Sequence, residues 1–168
     1  PFETVLPLLM SVSAVTLGVT LHAVTRDVDR ELALFGMLFR VMEGTVGAIA
    51  PLFTLGLLHL ATSASDGPAT QAIATLLFQA DGWKTTIAAI LFAFGSTCFT
   101  WLLLRGRLIP RPLAWLGLLA SILLVVGLPL QLTGLLRGSI ASAIWIPMAL
   151  FEIPLGFWLL LKGVANVP

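Results

Sequence analysis

Five uninterrupted apolar stretches divide this chain, and no water-soluble architecture accommodates them. They run over residues 5–24, 32–61, 85–104, 113–136 and 140–161, and each meets or exceeds the ~20 residues that a helix needs to cross a ~30 Å hydrocarbon core. We label them A to E. Backbone polar groups in lipid find no water, so each stretch must close its own hydrogen bonds as a helix. The expected fold is therefore all-α, a polytopic transmembrane helix bundle forming a single domain over residues 1–168, with the lipid bilayer as its main partner. Charge agrees: 10% of the residues are Asp, Glu, Lys or Arg, where a soluble domain carries about 25%. The formal net charge of +1 provides no bulk field for nucleic acid, and none is expected as a partner.

The connections are short and polar. Between A and B lies Thr25-Arg26-Asp27-Val28-Asp29-Arg30-Glu31, and between C and D lies the run from Arg105 to Pro112, with three arginines and two prolines. Arg137-Gly138-Ser139 joins D to E as a tight antiparallel hairpin. The link from B to C is longer. Ser65-Asp66-Gly67-Pro68 reads as a turn and cap, after which Ile73, Leu76, Leu77 and Ala80 recur at helical spacing until Asp81-Gly82. The spacing predicts a short amphipathic helix over about 69–80, too short to span and lying at the interface.

Cations set the orientation. With strict alternation, Arg26, Arg30, Arg105, Arg107, Arg111 and Lys162 fall on one side, and Lys84 and Arg137 on the other. By the positive-inside rule the first side is cytoplasmic, which places the 105–112 loop and the C-terminus inside and the start of A outside. Trp83 and Trp145 fall near the outer ends of their segments, and Trp101, Trp115 and Trp158 near the inner ends, as an aromatic belt requires. The expected location is the bacterial cytoplasmic (inner) membrane, multi-pass. Pro1 with no basic run behind it suggests a processed start or a further helix before residue 1.

Three charges lie inside the apolar stretches: Arg40, Glu43 and Glu152. Each costs ~2.5–3.5 kcal/mol at a helix centre, so each calls for a partner or a role. Glu152 is fixed at the midplane, ~15 Å from the end marked by Lys162 at 1.5 Å per residue. Segment B is too long for the core and must project, tilt or kink at Pro51, which leaves the depth of Arg40 open. Arg40 and Glu43 share a helix face at i, i+3, and Glu152 is the further acid able to meet them. One guanidinium with two carboxylates leaves an excess negative charge for a proton or a cation to complete. The cluster reads as a structural pin between B and E, or as a proton or ligand site. Gly44, Gly47 and Ala48 in B and Gly117 and Ser121 in D allow close helix approach, and Pro147 and Pro154 bracket Glu152.

Other chemistry is thin. His22 ends A and His59 ends B on opposite faces, so they cannot share one haem or metal; each is a weak candidate ligand for a cofactor, and no metal site is expected. Haem, quinone or pigment are the cofactors weighed, beside none. Cys98 within Gly95-Ser96-Thr97-Cys98 lacks a base at matching depth, and all four aspartates fall in loops, so no catalytic residue is assigned and an enzyme is not expected. Gln131 reads as an interhelical hydrogen bond.

Three runs carry a resemblance: Phe39-Arg40-Val41-Met42-Glu43, the stretch Leu102–Ala114 around Arg-Gly-Arg-Leu-Ile-Pro-Arg-Pro, and Pro147 to Glu152 followed by Gly156 to Gly163. In this order they resemble the domain of unknown function 4386 family of small bacterial membrane proteins. The resemblance implies a multispanning helical fold and a further helix before segment A, and no activity. Two functions remain as expectations. The first is a non-catalytic accessory or assembly subunit of a larger membrane complex, with other membrane subunits as partners. The second is a small transporter or a ligand- or proton-binding protein with its site at Arg40, Glu43 and Glu152. Few polar residues mark a path along the sequence, which favours the first.

Overall fold

The computed structural model describes residues 2–62 and 67–164, and these form seven helices: α1 Phe2–Thr25, α2 Arg30–Ala48, α3 Ala50–Thr62, α4 Pro68–Arg105, α5 Arg111–Leu132, α6 Ser139–Ala143 and α7 Ile146–Lys162. Five stretches are long and apolar enough to cross a membrane: Thr4–Thr25, Arg30–Thr62, Pro68–Arg105, Arg111–Leu132 and Ser139–Lys162. The molecule is an all-α bundle of a multi-pass membrane protein, as the five apolar stretches require.

Prolines account for the breaks inside two of these spans. Segment B bends at Ile49, between α2 and α3, because Pro51 has no N–H to continue the ladder. The chain takes a tighter turn there, with Leu52 N donating to Ile49 O at 3.1 Å. Segment E likewise splits at Ile144–Trp145 ahead of Pro147, where Ala149 N picks up Trp145 O at 3.0 Å.

The expected interfacial helix over 69–80 is not a separate element. It is the first third of α4, a 38-residue helix of ~57 Å at 1.5 Å per residue. Asp81-Gly82 does not close the run: Lys84 Nζ pairs with Asp81 Oδ1 at 2.8 Å along the helix, and the Thr85 and Thr86 hydroxyls bond back to the carbonyls of Asp81 and Gly82 without interrupting it. Asp81 is thus a mid-helix residue, not a loop residue. The first half of α4 packs along α3, with Leu77 against Gly56. The Ser65-Asp66 part of the expected turn lies outside the described residues, while Gly67 takes the extended N-cap conformation ahead of Pro68.

At the basic end the loops are tied together. Asp29 caps α2 by accepting from Leu32 N, and its other oxygen meets Arg105 Nη1 at 3.3 Å. Gly106 sits against Val28, where an added Cβ would come within 2.5 Å of Val28 Cγ2. The link from D to E is longer than three residues: α5 stops at Leu132, and Gly134 and Gly138 turn the chain at positive φ, with Arg137 Nε donating to Gly134 O.

The spans line up as a curled row, α1–α2–α4–α5–α7. The α1–α2, α2–α4 and α4–α5 joints are extensive, whereas α7 rests chiefly on α5. The core follows the row, with Phe99, Leu102 and Ala33 at one crossing and Leu103, Leu124, Leu128, Met148 and Phe151 at the next. Small residues set these joints. Gly44 and Gly47 both face Ser11 of α1, Gly36 lies over Cys98 and Phe99, and Gly117 receives the Phe151 ring. Ser121 and Thr100 join α5 to α4 through hydroxyls 3.3 Å apart. The two ends of the row, α1 and α7, do not close on each other.

Candidate functional site

The gap between α1 and α7 holds the spaces that the charged residues line. Arg40 stands ten residues into α2 from Arg30, Gly95 ten residues before the end of α4 at Arg105, and Glu152 ten residues before the end of α7 at Lys162. Each is therefore ~15 Å from the basic end, level with the midplane of a ~30 Å core. The bend at Ile49 puts the surplus length of segment B beyond Arg40, in α3.

The Arg40 stem runs through a slot made for it. A Cβ on Gly18 of α1 would stand 2.7 Å from Arg40 Cβ, and one on Gly95 of α4 would stand 3.2 Å from Arg40 Cδ. No larger side chain fits at Gly18 without moving that stem. The arginine is only 6% exposed, and its guanidinium carbon lies 4.9 Å from the Phe92 ring centroid, a cation–π contact that compensates part of the lost hydration. Nη1 pairs with Glu43 Oε2 at 2.8 Å. The N–H does not point along that line, so this is an ion pair without an aligned hydrogen bond, and Nε has no acceptor at all. A buried pair with unmet donors holds because removing either partner leaves a bare charge.

Glu152 differs. The carboxylate makes no ion pair within 4.0 Å with any described cation, and the residue is exposed. It occupies the rim of two adjoining spaces that Arg40 also lines. One is a cavity of about 270 Å³ running from the charged level toward the basic end, walled by Leu17 and Leu21 of α1, Phe99 and Leu103 of α4, and Leu155 and Leu159 of α7. The other is a groove of about 880 Å³ toward the opposite end, where Glu43, Asp81, Lys84 and Trp145 join the lining.

Of the three charges singled out by spacing, then, Arg40 and Glu43 are in contact, and Glu152 faces them across the cleft. The buried acid expected from segment E is at the right depth but outside the packed interior, because α7 stands off from α1 and α2. Asp81 and Lys84 were missed as members of the same groove. Their i, i+3 spacing was the available signal, obscured by reading Asp81-Gly82 as a helix end. Ser96 of the Gly-Ser-Thr-Cys run lines the cavity, whereas Cys98 packs under Gly36. His22 near the end of α1 and His59 near the end of α3 lie at opposite faces and line neither space. Gln131 does not bridge helices: its buried Oε1 has no hydrogen-bond partner.

Comparison with known proteins agrees with the resemblance drawn from the motifs. No curated protein and no solved structure matches the chain. A family model described as a domain of unknown function (DUF4386) matches residues 2–163, a span containing Arg40, Glu43, Glu152 and every helix of the bundle. The chain belongs to the DUF4386 family.

Proposed function

We propose that this is a non-catalytic binding protein of the bacterial cytoplasmic membrane, with the cleft between α1 and α7 as its site. One observation carries the reading. Charged side chains that are scattered in sequence, Arg40, Glu43, Asp81, Lys84 and Glu152, all line one groove that leads from one membrane face to the midplane. A purely structural pin has no need of a cavity beside it, and intramembrane charge lining a cavity is the usual mark of a ligand or ion pathway. The count of cations supports placing the 105–112 loop and the C-terminus in the cytoplasm, so that the groove opens outward.

The occlusion variant Gly156→Trp tests this. Gly156 lines the cavity, and a Cβ there would meet nothing within 4 Å, so a large side chain fills the space without displacing a neighbour. Mass spectrometry after mild detergent extraction is expected to find a small molecule with the native protein and not with the variant. Equal recovery from both would sink the proposal. A second reading, an accessory subunit of a larger complex, draws on the outward face of α7, where Leu150, Ile153, Phe157, Leu160 and Leu161 are exposed. Copurification of a partner protein lost when that face is changed, with the cleft variant unaffected, would favour it.

A further inference from the structure

The charges around the cleft do not balance. Five described ionisable side chains line its two spaces, Arg40 and Lys84 against Glu43, Asp81 and Glu152. Arg40 is matched to Glu43 at 2.8 Å and Lys84 to Asp81 at 2.8 Å. Glu152 is the remainder: it makes no ion pair within 4.0 Å among the described residues, and the cation whose charge reaches it, Arg40, is already paired to Glu43, which leaves the cluster one counter-ion short.

Its surroundings restrict what can supply one. Below Glu152 the cavity is lined by leucines and by the Phe99 and Phe151 rings, a space for hydrocarbon. Above it the groove presents Trp145, whose indole offers a face that an ammonium group beside a carboxylate can use; the Phe92 ring is already taken by the Arg40 guanidinium at 4.9 Å. A small hydrated metal ion would need oxygen ligands in number, and no group of three or more His, Cys, Asp or Glu gathers among the described residues. The gap between α1 and α7 also opens the site sideways, so a molecule already in the lipid can reach it.

We propose that the cleft binds a lipophilic organic cation, with its positively charged head at Glu152 beside Trp145 and its apolar part in the cavity walled by Leu17, Leu21, Leu103, Leu155 and Leu159. This assignment rests on the cleft being a ligand site and adds the sign of the ligand's charge. The unaccepted Nε of Arg40 is the one feature that would welcome an anion, and that single guanidinium already faces two carboxylates, Glu43 at 2.8 Å and Glu152 across the cleft.

Three amphiphiles with the same tail and different heads decide the matter: decyltrimethylammonium, decanoate and decanol, titrated calorimetrically into the purified full chain in one detergent. The cation is expected to bind saturably at one site, to bind about tenfold or more weakly to Glu152→Gln, and to lose binding in Gly156→Trp. Glu152 is exposed, so its amide variant keeps the fold, which an unchanged elution volume verifies. Equal affinity of the cation for native protein and Glu152→Gln overturns the assignment. So does binding of decanoate or decanol that exceeds the cation and is blocked by Gly156→Trp, although the cleft then stands as a ligand site of another class. If no head group binds in a Gly156→Trp-sensitive way, the assignment is overturned, and a Gly156→Trp variant that also retains whatever copurifies with the native protein removes the binding reading too.

Discussion

Arg40–Glu43 on α2 and Glu152 on α7 occupy the same level of the membrane and live in opposite surroundings. The pair is wedged between α1 and α4, over Phe92 and between Gly18 and Gly95. Glu152 lies on the one helix that touches the row at a single main joint. Depth along a helix is therefore a poor guide to burial, because burial depends on which neighbours close around the residue. The pair is a packed structural element that also forms a wall of the cleft, whereas Glu152 is exposed on the cleft's rim and makes no ion pair within 4.0 Å among the described residues.

Substitutions can break this contrast, and the largest effect belongs to the pair. Arg40→Ala strands Glu43 in a slot built for a long side chain, and a loss of about 3–5 kcal/mol is expected, read as a fall in the detergent melting midpoint. A variant that melts with the native protein would show that the pair is not part of the packed interior. Gly117→Ala comes next. An added Cβ would stand 2.5 Å from the Phe151 ring, so α7 must shift from α5 at a cost of about 1–3 kcal/mol, and accessibility of a cysteine placed on α7 should rise. Gly156→Ala sharpens the comparison from the other side: with nothing near its Cβ, better helix propensity should stabilise by up to about 1 kcal/mol. The smallest change is expected from Glu152→Gln, within about 0.5 kcal/mol of native. A large destabilisation by Glu152→Gln would mean that this carboxylate is a structural partner of Arg40 after all.

Much of the architecture was legible from hydropathy. The five apolar lengths required five helices, and Pro51 marked where the second breaks, because a missing N–H acts locally; the break ahead of Pro147 was not expected, and Pro154 makes none. The glycines at 44, 47 and 117 pointed to close joints, and those joints exist. What misled was the stretch around Asp81-Gly82, where two residues that commonly end helices lie inside α4 and Lys84 pairs with Asp81 along it. Propensity is a weak local preference that tertiary contacts override, and this stretch of α4 packs along α3.

The sequence by itself determined the apolar surroundings, the five helices able to cross a membrane, the basic end and the distance of Glu152 from it, since each of these follows from residue type and from a fixed rise per residue. It also placed Arg40 and Glu43 on one helix face, which is a matter of spacing alone. Only the tertiary structure decided that α1 and α7 end an open row, that Arg40 threads between two glycines from different helices, and that Glu152 stands beside a cavity with no direct ion pair among the described residues. Those are relations between helices distant in the chain, set by side-chain shape at the Ser11–Gly44, Cys98–Gly36 and Phe151–Gly117 joints, and no periodicity within a single helix encodes them.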